Sequence, residues 1–125
     1  MKSGLTKSRM NAYKAALDHV MREQEAYLDP ELTLPLLAAR VGCSVNHLTQ
    51  VINSRYGMSF YDYVNQHRVQ HAKRILNRLD DQAAVLKVAY SVGFNSNSAF
   101  YTAFKKRVGM TPAQFRRAHV ADQSP

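Results

Sequence analysis

A chain of 125 residues, 46% of them hydrophobic, is the size of one domain and long enough to bury a core, and its formal net charge of +8 favours a polyanionic partner. It has no run of about eighteen apolar residues to span a bilayer, and its basic start, MKSGLTKSRMNAYK, lacks the apolar block of a secretory signal. The single cysteine, Cys43, excludes an internal disulfide and a Cys-x-x-Cys zinc site, which fits a reducing cytosol.

The charge is unevenly placed. Residues 1–35 hold five basic and five acidic side chains, whereas residues 36–125 hold twelve basic and four acidic ones, so the whole excess lies in the C-terminal two thirds. Nucleic acid is the commonest partner for such a field.

In chain order, the periodicity predicts helices throughout and no alternating strand pattern. A first amphipathic helix is expected from about Lys7 to Tyr27, with Met10, Tyr13, Ala16, Leu17, Val20 and Met21 on one face. Leu28-Asp29-Pro30 breaks it, because the residue before a proline is pushed out of helical geometry. Thr33 then caps a short helix from Leu34 to Val41, with Pro35 tolerated in the first turn and Gly42 at the end.

From there the sequence repeats itself once. LAARVGCSVNHLTQVINSRYGMS (37–59) is echoed by VAYSVGFNSNSAFYTAFKKRVGMT (88–111): Ala38 and Gly42 match Ala89 and Gly93 at an offset of 51, while Leu48, Ile52 and Gly57 match Phe100, Phe104 and Gly109 at an offset of 52. One residue has been added inside the second turn. Each copy has a small residue where two helices cross and a glycine for the turn, which is helix-turn-helix grammar. Cys43 and Phe94 follow the glycines and are expected to point inward, Cys43 as a small apolar filler.

The second helix of each copy has two faces. Ser44, and Asn95 or Ser96, suit N-caps, and Leu48, Val51 and Ile52, then Phe100, Ala103 and Phe104, form inward stripes. The opposite faces carry Asn46, Thr49, Gln50 and Asn53 in copy one and Asn97, Ser98, Tyr101 and Thr102 in copy two. Such amides and hydroxyls can pair with base edges in a major groove, so these eight are the candidate base contacts. Ser44, Arg55, Asn95, Ser96, Lys105 and Lys106 are the candidate backbone contacts.

Between the copies, residues 59–79 contain no proline or glycine and predict one helix of about 30 Å, capped by Ser59, with Val69, Ala72, Ile75, Leu76 and Leu79 facing inward. A strut of that length would set two recognition helices about one DNA turn apart, near 34 Å.

Residues 32–117 resemble the DNA-binding domain of the AraC/XylS family of bacterial transcription regulators. The resemblance rests on Arg68-Val69, Ala72, Leu76, Val85, Val88-Ala89, Gly93-Phe94, Phe100, Phe104, Gly109 and Thr111-Pro112, in the order and spacing of that family's signature. It implies an all-α, homeodomain-like fold of two helix-turn-helix subdomains (32–58 and 81–120) joined by a linker helix (59–80), here with an extra N-terminal helix and linker (1–31) and a disordered tail (121–125). It also implies binding to an asymmetric promoter site, usually with activation through RNA polymerase. Some small members carry a bulky aromatic and an arginine in the first recognition helix, where this chain has Asn46 and Gln50, and no arginine lies on the base-facing side of either helix.

Double-stranded DNA and RNA polymerase are thus the expected partners. The segment from Tyr27 to Leu34 looks like the join to a larger N-terminal region, in some relatives a membrane-embedded sensor. The chain is therefore expected to be a monomeric C-terminal part of a longer regulator, with dimerisation left to the full-length protein. The expected location is the cytoplasm, with no direct membrane contact by this domain. His67 and His71 lie four apart, but the residues between them lack the glutamate of a zinc protease, so no metal, cofactor or enzymatic activity is expected. The rival reading is a helical protein-interaction module with Tyr56, Tyr61 and Tyr63 in a protein-facing patch.

Overall fold

The computed structural model describes residues 5–78 and 84–123, which among themselves form seven α-helices, one 3-10 turn and no strand. The chain divides into two compact units, Met1–Val64 and Asn65–Pro125, each with its own core. None of the described helices is long and apolar enough to cross a membrane.

In the first unit α1 spans Lys7–Arg22, starting where the Thr6 hydroxyl accepts from the Arg9 N–H. It ends five residues short of the expected Tyr27. Glu25 takes a left-handed conformation (φ 51°) and a 3-10 turn follows at Ala26–Leu28, which bends the chain back and seats Ala26 and Tyr27 in the core at the end of α1. α2 (Leu34–Val41) and α3 (Val45–Tyr56) begin at Thr33 and Ser44, whose hydroxyls accept from Leu36 and His47 N–H groups. Leu17, Val20 and Met21 of α1, Leu37, Ala38 and Val41 of α2, and Leu48, Val51 and Ile52 of α3 close on one another. Leu17, Leu37, Leu48 and Ile52 are essentially fully buried, each stabilising the unit by roughly 2 kcal/mol of apolar transfer.

α4 (Phe60–Leu76) starts at Ser59, whose hydroxyl accepts from the Asp62 N–H, and crosses the division between the units. Its 17 residues give about 25 Å, shorter than the strut expected from residues 59–79. After Leu76 the chain tightens: the Asn77 N–H reaches Lys73 O and the Arg78 N–H reaches Ile75 O, three residues back. Leu79, expected on the inward face, lies outside the described residues.

The second unit adds α5 (Val85–Ser91), α6 (Asn97–Val108) and α7 (Pro112–Gln123). Val69, Ala72 and Leu76 of α4 meet Val85, Val88 and Ala89 of α5. Phenylalanines continue the packing, with centroid separations of 5.4 Å for Phe94–Phe100, 5.7 Å for Phe100–Phe104 and 5.6 Å for Phe104–Phe115. The Arg68 guanidinium lies over the Phe94 ring at 5.5 Å. Thr111 and Gln114 form a reciprocal capping box ahead of Pro112, and the last turn of α7 takes in residues 121–123 of the stretch expected as a tail.

Candidate nucleic-acid interface

The two helix-turn-helix units are built from the same parts at a fixed offset. Ala38 and Ala89 are buried at the crossings, and the turns that follow carry Gly42 (φ 90°) and Gly93 (φ 103°) in the left-handed region. In both turns the residue after the glycine reaches back five positions, Cys43 N–H to Ala38 O at 3.1 Å and Phe94 N–H to Ala89 O at 3.0 Å. The recognition helices then start at Val45 and Asn97 and end before Gly57 and Gly109, each pair 52 apart. The added residue therefore sits between Phe94 and Ser96, and Ser96, not Asn95, is the cap, accepting from the Ala99 N–H at 3.1 Å.

Equal lengths and caps put the two polar faces in one register. On α3, Asn46, Thr49, Gln50 and Asn53 follow at spacings of three and four, opposite the buried Leu48, Val51 and Ile52. On α6 the residues 52 further on are Ser98, Tyr101, Thr102 and Lys105, opposite the buried Phe100, Ala103 and Phe104. Asn46, Thr49, Asn53, Ser98, Thr102 and Lys105 are exposed and Gln50 is half-buried. Two expectations shift. Asn97, half-buried at the first position of α6, corresponds to Val45 rather than to a polar-face residue, and Lys105, expected only as a backbone contact, takes the place of Asn53. Helical spacing counted from the cap would have found both, had the cap been fixed at Ser96.

Four other site residues are partly committed to contacts within the protein. Tyr101 is half-buried, its ring stacked on Phe100 at 5.8 Å against the second core. Ser44 and Ser96 use their hydroxyl oxygens as cap acceptors, which leaves the O–H for donation. Arg55 is half-buried: its Nε is buried, and its Nη2 donates to Asn11 Oδ1 on α1 at 2.7 Å. Asn95 and Lys106 are exposed.

α1 braces the recognition helix at both ends. Tyr13 stacks on His47 of its first turn, with centroids 5.8 Å apart, and the Tyr56 hydroxyl of its last turn donates to Asp18. Asp18 also pairs with Lys14 at 3.0 Å. Burial pushes the Asp18 carboxyl up, but the Tyr56 and Lys14 hydrogen bonds, with the charges of Lys14 and Arg22, outweigh it and hold the group below its ordinary value. Of the tyrosines expected in a protein-facing patch, Tyr63 is buried with its phenol pushed up by that burial, Tyr56 is bound to Asp18 and packed 5.0 Å from Tyr63, and Tyr61 alone is exposed. Burial pushes the Cys43 thiol up, and the side chain packs against the first core. Among the described residues no group of three or more histidine, cysteine or acidic side chains is placed to hold a metal ion.

Paired three-helix units, each ending a glycine turn in a capped helix with a polar outer face, define a double helix-turn-helix domain of the DNA-binding class. The family described as "Helix-turn-helix domain" matches residues 37–118. The chain belongs to the AraC/XylS family of helix-turn-helix transcription regulators, as a DNA-binding domain.

The HTH-type transcriptional regulator GlxA of Rhizobium meliloti is 29% identical over 114 residues, covering 91% of this chain and 35% of the relative. The melibiose operon regulatory protein of Escherichia coli is 30% identical over 89 residues, covering 71% and 29%. Among solved structures, the DNA-binding domain of the global transcriptional factor AdpA, in complex with a target DNA, superposes with a TM-score of 0.75 at 25% identity, covering 89% of this chain and 95% of that one. The chain thus spans about a third of the length of these two curated relatives.

Proposed function

We propose that the chain reads an asymmetric promoter site with both recognition helices, α3 and α6, each entering a major groove of one duplex. The observation that carries this reading is the shared register of the polar faces, Asn46, Thr49, Gln50 and Asn53 on α3 and Ser98, Tyr101, Thr102 and Lys105 on α6. Two unrelated surface helices have no reason to keep length, cap and polar positions in step at an offset of 52. Amides and hydroxyls at these positions match the donors and acceptors of base edges. Asn95, Lys106 and the cap serines Ser44 and Ser96 serve phosphates, and Asn97 at the start of α6 acts with them. Arg55 ties α3 to α1 through Asn11.

In the whole regulator this domain acts as a monomeric reader of DNA in the cytoplasm. Activation would run through RNA polymerase, as the family resemblance implies, and the function is binding without catalysis. Exposed Leu86 and Tyr90, one turn apart on α5, favour a protein contact in addition to DNA.

Selection of duplexes from a random pool at moderate salt tests the reading. Two enriched blocks about ten base pairs apart are expected. A single block would reduce one unit to holding the backbone, and no enrichment would leave protein interaction as the function.

A further inference from the structure

The first helix-turn-helix is poor in charge. Between Thr33 and Met58 the only charged side chains are Arg40 and Arg55. Both lean on amides outside the unit's turn: Arg40 Nη2 donates to Gln24 Oε1 at 2.9 Å and Arg55 Nη2 to Asn11 Oδ1 at 2.7 Å. A recognition helix about 10–12 Å across fills a major groove about 12 Å wide, so residues along the edges of its polar face meet the phosphate walls. On α6 those places carry Lys105 and Lys106, and on α3 the residues 52 positions earlier are Asn53 and Ser54. The α3 residues at those places therefore supply no cation to the groove wall.

α1 brings one there. We propose that Arg9 is a DNA-backbone contact of the first unit, held beside α3 by the Arg9–Tyr13–His47 stack. His47 lies three residues before Gln50 and so borders the polar face on one edge. Tyr13 stacks on His47 with an interplanar angle of 29°, and the Arg9 guanidinium lies over the Tyr13 ring at 5.6 Å while its Nη2 donates to the Tyr13 hydroxyl at 2.7 Å. The Arg9 backbone is fixed as well, since its N–H is the one the Thr6 cap accepts. That hydrogen bond engages one of the five guanidinium donors, and the planar fork presents others to phosphate oxygens. Because the stack already orders the exposed side chain, binding loses less rotamer freedom than it would with an unsupported lysine. Arg9 lies outside residues 37–118, the segment that the family model matches.

The inference rests on α3 lying in a major groove, and the test separates the two. Binding of the whole chain is measured against salt concentration on a duplex carrying the selected site and on a scrambled duplex, for wild type, Arg9→Gln, Arg9→Lys and Arg22→Gln. Arg22 is an exposed cation at the other end of α1 and controls for loss of charge alone. Arg9→Gln is expected to weaken both duplexes several-fold and to lower the slope of log K against log salt by about 0.9, the release expected for one phosphate. Arg9→Lys should restore the slope without all of the affinity, and Arg22→Gln should keep the wild-type slope. A wild-type slope for Arg9→Gln, or an equal loss for Arg22→Gln, overturns the contact. Wild type binding both duplexes equally would instead overturn base reading while leaving the Arg9 slope informative.

Discussion

The Tyr56 hydroxyl, on the last turn of the first recognition helix, donates to the Asp18 carboxylate of α1, and Lys14 holds the other carboxylate oxygen. Asp18 is held below the ordinary carboxylate value in the folded unit, so its contribution to stability is present above the unfolded pKa, near 3.8, and is lost as the pH falls through the lower folded value. Asp18→Asn should therefore lower the stability of the first unit at neutral pH and flatten its stability profile below about pH 4. Tyr56→Phe should cost about 1–2 kcal/mol, the lower range for a hydrogen bond to a charged group, since Asp18 keeps some solvent. Chemical denaturation followed at several pH values checks both, and an unchanged acid limb in Asp18→Asn would remove the carboxylate from the brace.

Gly42 isolates the cost of the turn. Its φ of 90° is left-handed, and a Cβ built there meets no atom within 4 Å, so an alanine would meet backbone strain and no clash. Gly42→Ala should destabilise the first unit by about 1–2 kcal/mol, and Gly42→Asn by less, because asparagine visits that region more readily. Thermal unfolding of the two variants gives the comparison. Equal losses would point to packing rather than to conformation.

Much of this architecture was legible because local rules and tertiary packing agree. The Ala-Gly crossings, the Thr33 and Ser44 caps and the buried stripes on α3 and α6 follow from spacing alone. Three features escaped for stated physical reasons. α1 stops at Arg22 because tertiary burial of Ala26 and Tyr27 overrides a periodicity that would have carried the helix on. With two cap candidates left open, the register of α6 stayed open too, and the Ser96 cap aligns Asn97 with Val45 and Lys105 with Asn53. Arg55 reads as a surface cation by sequence, and only the fold brings Asn11, 44 residues earlier, within 2.7 Å of it.

Asn46 and Ser98 are exposed and stand at matching positions on the two recognition helices, 52 residues apart. Replacing either with alanine should weaken binding to the selected site by about 1–3 kcal/mol while leaving binding to scrambled DNA unchanged. Equal losses on both duplexes would reassign the residue to the backbone. Tyr101 calls for a different substitution, because its ring packs on Phe100 and an alanine there would lower stability and affinity together. Tyr101→Phe keeps the packing and removes the hydroxyl, so a change in sequence preference without a change in melting temperature would mark the hydroxyl as a base contact.

Lys105 and Lys106 differ in where α6 puts them, and that makes their salt dependence informative. Lys105 shares the polar stripe with Ser98 and Thr102, while Lys106 stands one residue round the helix, toward its edge. Each is expected to neutralise one phosphate, so replacing both with alanine should lower the slope of log K against log salt by about 1.8, and either alone by about half of that. On the proposed reading Lys105 faces the groove as well as its wall. Lys105→Ala should therefore also alter the base preference at one position of the selected site, whereas Lys106→Ala should weaken all sequences alike. Binding isotherms across a salt series on selected and scrambled duplexes resolve the two effects. An unchanged slope in the double variant would take both lysines out of the footprint and leave their charge to act only through the general field of the +8 chain.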